Sequence, residues 1–188
     1  MNSNDLYDRH RKWIEASLNL DKIEVFMVPF AQMLGRLDQS LIKIDEKISQ
    51  PPFESTLTDG FEVDNQVAFS YLWVLGCYEL VRDIYERCRI DTQKPSLKKY
   101  PKFSTDKINL KAKNTKELFE RIRVPLAKLE PSIKAPSDSP IAYPIIIQHI
   151  GVGWQLSKDF IISRKRLSDE FLDLIITLNG ENSLTIKT

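Results

Sequence analysis

The sequence predicts a mainly α-helical fold, a bundle of about five helices with a small β-hairpin element near residues 143–162. Three observations carry that expectation. Apolar residues recur every three or four positions over several long stretches, as one face of an α-helix requires. The central stretch, around Trp73, is apolar nearly all round, the mark of a helix enclosed by others. Only after four closely spaced prolines (131, 136, 140 and 144) does the texture turn to isoleucine, valine and aromatics around Gly151-Val152-Gly153, where two or three short strands are expected.

The N-terminal helix is read from Leu6, His10, Trp13, Ile14 and Leu18. In the second helix, Phe30, Leu34, Leu37, Leu41, Ile44 and Ile48 form the inward face, with Arg36, Asp38, Gln39, Lys43, Asp45 and Glu46 on the intervening faces. Pro29 suits its first turn, where a missing N–H costs nothing, and Pro51-Pro52 ends it. The third helix spans about Asp64 to Arg89, with Tyr71, Val74, Tyr78, Val81, Tyr85 and Cys88 on one side and Phe69, Leu72, Trp73, Gly76 and Leu80 on the other.

A fourth helix is expected to start at Asn114, with Glu117 reaching back in a capping box and Leu118, Ile122, Leu126 and Leu129 following; Pro125 falls inside it. The last runs from about Ser163 to Leu178, with Leu167, Phe171, Leu174, Ile175 and Leu178 facing inward and Asn179-Gly180 as its stop. At 188 residues, 42% of them hydrophobic, the chain is long enough to bury one core without disulfide or metal support. A single helical domain over 1–188 is expected, with a long basic loop at 90–113, a proline-rich connector at 131–144 and a C-terminal tail at 181–188.

Several function classes lose support at this level. No apolar run approaches the roughly 20 residues that cross a bilayer, and no secretory pattern opens the chain, so a cytoplasmic location without membrane contact is expected. Cys77 and Cys88, eleven positions apart on one helix, stand roughly 16 Å from each other and cannot bridge. His10 and His149 lack neighbours at metal-ligand spacing, so neither a metal nor another cofactor is expected.

No catalytic signature is found. Gly151-x-Gly153 lacks the third glycine of a dinucleotide loop and reads as a hairpin or a close backbone approach. Ser-x-x-Lys occurs at Ser40, Ser96 and Ser104 without the companion motifs that would give it weight. The positions upstream of the histidines that an Arg–His ribonuclease motif would fill hold Ala142, Tyr143 and Pro144 in one case, and Ser3, Asn4 and Asp5 in the other. His149 as a general base, and Glu79 as a buried carboxylate, are weighed against a hydrogen-bonded structural histidine and a salt bridge to Arg121 or Arg123.

Charge is segregated beneath a net of +1. Between Lys94 and Lys116 eight lysines face the single acid Asp106, so this segment carries +7 and the remainder −6. Lys98, Lys99, Tyr100, Lys102, Phe103, Lys107, Lys111 and Lys113 therefore form the candidate nucleic-acid or anion-binding set, cations for phosphates interleaved with rings for bases. Solubilising a loop is the simpler use of the same lysines. Arg164-Lys165-Arg166 place positive charge in a helix's first turn, where the dipole disfavours it, and point to an anionic neighbour or ligand.

The reading placed first is a non-enzymatic helical interaction module or subunit that engages a protein partner or itself as a homo-oligomer. Nucleic-acid or polyanion binding through 94–116 comes second, and an unrecognised hydrolase or nuclease third.

Overall fold

A computed structural model describes residues 3–50, 57–93, 105–128, 130 and 142–178. Helix α1 covers Ser3–Ser17 and leads through a 3-10 turn, Leu18–Lys22, into α2, Met27–Ile48. Helix α3 is Leu57–Gln93 and α4 is Asp106–Lys128. Strands β1 (Tyr143–Ile147), β2 (Gly151–Ser157) and β3 (Phe160–Ser163) follow, and α5 is Arg164–Thr177. The expected mainly-α fold with a small β element is what the chain adopts. The strands form an antiparallel sheet in the order β1-β2-β3, with Ile146 opposite Val152 and Trp154 opposite Ile162.

Long α3 packs against α2 on one side and α4 on the other, while α1 and α5 close the core and β2 lies against α2 and α5. Trp13 and Phe171 lie 5.3 Å apart between ring centroids, Phe171 and Phe119 6.4 Å, and Phe119 and Trp73 6.2 Å, a chain of rings joining α1, α5, α4 and α3. Leu167, Phe171, Leu174, Ile175 and Leu178 are all buried, as the period of α5 requires. Ser163 caps that helix, its Oγ accepting from Arg166 N–H. Pro29 falls in the first turn of α2.

Helix α2 uses a different inward face from the one the sequence suggests. Met27, Ala31, Leu34, Asp38, Leu41, Asp45 and Ile48 are buried, an unbroken four-three alternation with two aspartates in apolar positions. Leu37 and Ile44 are only partly buried, and Phe30 lies at the exposed edge. Leu34, Leu41 and Ile48 are common to both faces, and the rod is turned so that Ala31, Asp38 and Asp45 take the inward places expected for Phe30, Leu37 and Ile44; Asp38 and Asp45 have partners inside.

Helix α3 is longer than 64–89 and is not enclosed all round. Trp73, Val74, Cys77, Tyr78, Val81 and Ile84 are buried, but Phe61, Phe69 and Leu72 are exposed, the last at 56%. Among the described residues its neighbours leave the side that carries Phe61, Phe69 and Leu72 bare.

The expected 90–113 loop is corrected at its two ends, while 94–104 lie outside the described residues. Helix α3 continues to Gln93, and α4 starts at Asp106 rather than Asn114. Thr105 Oγ1 accepts from Ile108 N–H, and Ile108, Ala112, Thr115, Phe119 and Ile122 then bury a continuous stripe. The helix runs through buried Pro125, and Asn114 is exposed within it. Of the 131–144 connector, Tyr143 and Pro144 belong to strand β1; 131–141, the 181–188 tail, Pro51-Pro52, Leu129 and Asn179-Gly180 lie outside the described residues.

Candidate functional site: a buried ion-pair node and the cleft beside it

Two turns of α2 present Asp38 and Asp45 on one side, seven residues apart, and both are buried. Opposite them, the first residue of α5 sends the fully buried guanidinium of Arg164 between the two carboxylates. Arg164 Nη1 donates to Asp38 Oδ1 at 2.6 Å, while Nε and Nη2 donate to Asp45 Oδ2 at 3.0 and 2.7 Å. The guanidinium carbon lies 5.7 Å from the centroid of Trp73, so the cation also has an aromatic neighbour.

The remaining carboxylate oxygens are occupied as well. Asp45 Oδ1 accepts from Gln66 Nε2 at 2.8 Å and from Val152 N–H at 3.1 Å. Asp38 Oδ2 accepts from Arg9 Nε at 2.9 Å and Trp13 Nε1 at 3.2 Å. Arg9 continues outward to Ser168 Oγ at 2.6 Å and Asp169 Oδ1 at 2.8 Å. The node thus joins α1, α2, α3, β2 and α5.

Two glycines let the backbone come this close. A Cβ on Gly35 would sit 2.8 Å from Trp13 Cβ, crowding the indole that donates to Asp38. Gly151 holds φ +103° against Asp45, and a Cβ there would land on that side chain and block Val152 N–H. The Gly-x-Gly element is therefore a close backbone approach at a hairpin.

Burial alone would push the Asp38 carboxyl up. The charges of Arg164 and Arg9, with hydrogen bonds from Ser168 and Arg9, outweigh it and hold the group below its ordinary value. Burial likewise pulls Arg9 down, but Asp38 and then Asp169 carry it above the usual guanidinium value. Cys77 is driven well above the ordinary thiol value by burial first and by Asp38 second, with Arg164 acting the other way. It is an inert core thiol; Cys77 and Cys88 are both free and buried.

Asp169 joins the node to a surface cleft of about 600 Å³ between α4, α5 and the β1–β2 turn. Its Oδ2 accepts from Lys165 Nζ at 2.7 Å. Lys111 Nζ donates across the cleft to Asp173 at 2.6 Å and Glu170 at 2.9 Å. Burial lowers the Lys111 ammonium, but these two carboxylates more than compensate and raise it. His149 borders the cleft from the turn at φ 61°, its backbone N–H donating to Ser49 C=O at 3.1 Å, while no described side chain bonds its ring. Glu79 is not a buried carboxylate: it is 44% exposed and pairs with Arg82 at 2.7 Å. Arg121 and Arg123 lie instead over the rings of Phe160 and Tyr78.

Of the candidate anion-binding residues, Lys107, Lys111 and Lys113 stand on the first turns of α4, and the first and last are exposed. Lys111 is already engaged by acids of α5. Lys98, Lys99, Tyr100, Lys102 and Phe103 lie outside the described residues. No group of acidic, histidine or cysteine side chains among the described residues is arranged to hold a metal ion. None of the described helices is long and apolar enough to cross a membrane.

Sequence reasoning missed Asp38, Asp45 and Arg164 as one unit. The available signal was the spacing of Leu34, Asp38, Leu41, Asp45 and Ile48, which puts both acids in core positions, together with the arginine misplaced for the α5 dipole. That arginine's anionic neighbours are the two aspartates. Comparison of the chain with family models, curated proteins and solved structures gives no match.

Proposed function

We propose that this chain is a cytoplasmic, non-enzymatic interaction module, docking a protein partner or a second copy of itself on the bare flank shared by α2 and α3. One observation carries this reading. Phe26 at the N-cap of α2, Phe30 and Met33 on α2, and Phe69 and Leu72 on α3 are all exposed, Phe26 at 78%. Phe30 Cζ would lie 3.7 Å from a Cβ on Gly76, so the two strips adjoin across the helix pair. Contiguous apolar surface of this kind, made of large aromatic and thioether side chains, is typical of protein contacts. The charged node fits the reading as a rigid frame beneath that surface: its carboxylates and guanidinium groups are consumed by one another.

Light scattering of the native chain beside a Phe69→Glu, Leu72→Glu variant tests it. The native chain is expected to self-associate, or to bind a co-purifying protein, and the variant to lose that association while melting at nearly the same temperature. Unchanged association in the variant would remove the face from consideration.

A second reading, nucleic-acid or polyanion binding through 94–116, is supported by Lys107 and Lys113, exposed and without a carboxylate partner among the described residues. It requires an affinity that falls steeply with salt, with a log–log slope that shrinks when Lys98, Lys99 and Lys102 are replaced by glutamine.

A further inference from the structure

A second concavity lies away from the α2/α3 flank, where the end of α2, the first turns of α3 and strand β1 meet. It measures about 480 Å³, within the range of small-molecule sites. Ile48, Val63 and Ile146 wall it with apolar surface.

Two polar features make it more than a gap. Ser49 lines it and is 5% exposed; its N–H donates to Asp45 C=O and its C=O accepts from His149 N–H, yet its hydroxyl has no partner among the described residues. A buried, unsatisfied hydroxyl costs free energy that a ligand's polar group would recover. Asp64 is the only charged residue among the described lining, and no cation is paired with it among the described residues. The pocket therefore offers apolar walls, one idle hydroxyl and one uncompensated negative charge. Gly60 borders the same space, and a Cβ added there would meet nothing within 4 Å.

We propose that this pocket binds a small organic amine with an apolar body: Ile48, Val63 and Ile146 cover the body, Asp64 takes the ammonium, and Ser49 Oγ supplies a hydrogen bond. This site is independent of the α2/α3 flank and stands or falls separately from it.

The test is an amide NMR titration of the whole chain with phenethylamine, 2-phenylethanol and phenylacetate, which share a body and differ in charge. Phenethylamine is expected to give saturable shifts centred on Ser49, Gly60, Val63 and Ile146. The alcohol should bind about two- to fivefold more weakly, the worth of one exposed charge contact, and phenylacetate more weakly still. Asp64→Asn should bring the amine down to the alcohol's affinity, and high salt should do the same. Ser49→Ala should weaken amine and alcohol together. Gly60→Leu should abolish all binding while melting no lower than the native chain, since it fills open space and replaces a helical glycine. Equal binding of phenylacetate and phenethylamine, no saturable shift with any probe at millimolar concentration, or full binding by Gly60→Leu would overturn the proposal.

Discussion

Arg164 and Asp38 are 126 positions apart in the chain, yet Nη1 of the one donates to Oδ1 of the other at 2.6 Å with both side chains fully buried. The contact joins the start of the last helix to the middle of the second. Its energetic meaning lies in what remains if the guanidinium is removed: Asp45 left in a low-dielectric core without a cation, and Asp38 left with Arg9 alone.

Replacing Arg164 by Met should therefore cost about 3–5 kcal/mol, read as a lower denaturation midpoint in urea. Adding Asp38→Asn and Asp45→Asn to that variant should return much of the loss, because neutral amides leave no unpaired charge. A triple variant no more stable than the single one would show that packing around the guanidinium, rather than charge, sets the cost.

Acid should destabilise the protein through Asp38. Its folded-state pKa is lowered, so the stabilisation it brings is fully present above the unfolded value of 3.8 and is lost as pH falls through the folded value. In Asp38→Asn, the slope of stability against pH below about pH 4 should be shallower than in the native chain. Parallel slopes would place the acid sensitivity elsewhere.

Lys111 has the opposite sign. Its folded pKa is raised, so the stabilisation is complete below the unfolded value of 10.5 and disappears as pH climbs through the folded one. Because the ammonium is partly exposed, Lys111→Met should cost less than about 1 kcal/mol at neutral pH. Thermal melts at neutral and alkaline pH should show the gap between variant and native closing as the base rises.

Gly151→Ala should lose about 1–3 kcal/mol from backbone strain alone, with a further loss because the added methyl meets Asp45 where Val152 N–H now binds it. Gly60→Ala, in open helical surface, should instead hold or raise the melting temperature. Thermal denaturation of the two variants side by side measures the difference directly.

Much of the fold could be read along the chain. The period of α5 named Leu167, Phe171, Leu174 and Ile175 among its buried residues but not Arg164, Ser168 or Leu172, and the isoleucine-rich stretch around Gly151 located the sheet. Errors arose where two frames competed. In α2, Phe30, Leu37 and Ile44 outweighed Asp38 and Asp45 on a hydrophobic scale, though the aspartates face the core. In α4, the lysines between 107 and 113 masked the Ile108–Ala112 stripe that extends the helix.

Helices, their lengths to within a few turns, and the short sheet follow from the sequence by itself, because period, capping and proline placement act over neighbouring residues. Which α2 face turns inward was decided only by the tertiary structure. An aspartate is a surface residue until a guanidinium, an indole N–H and a backbone amide arrive from elsewhere in the chain to replace water, and those partners come from residues 9, 13, 152 and 164. The same holds for the bare flank of α3: an apolar stripe records a preference for cover, while the number of neighbours available to provide it is a property of the assembled fold.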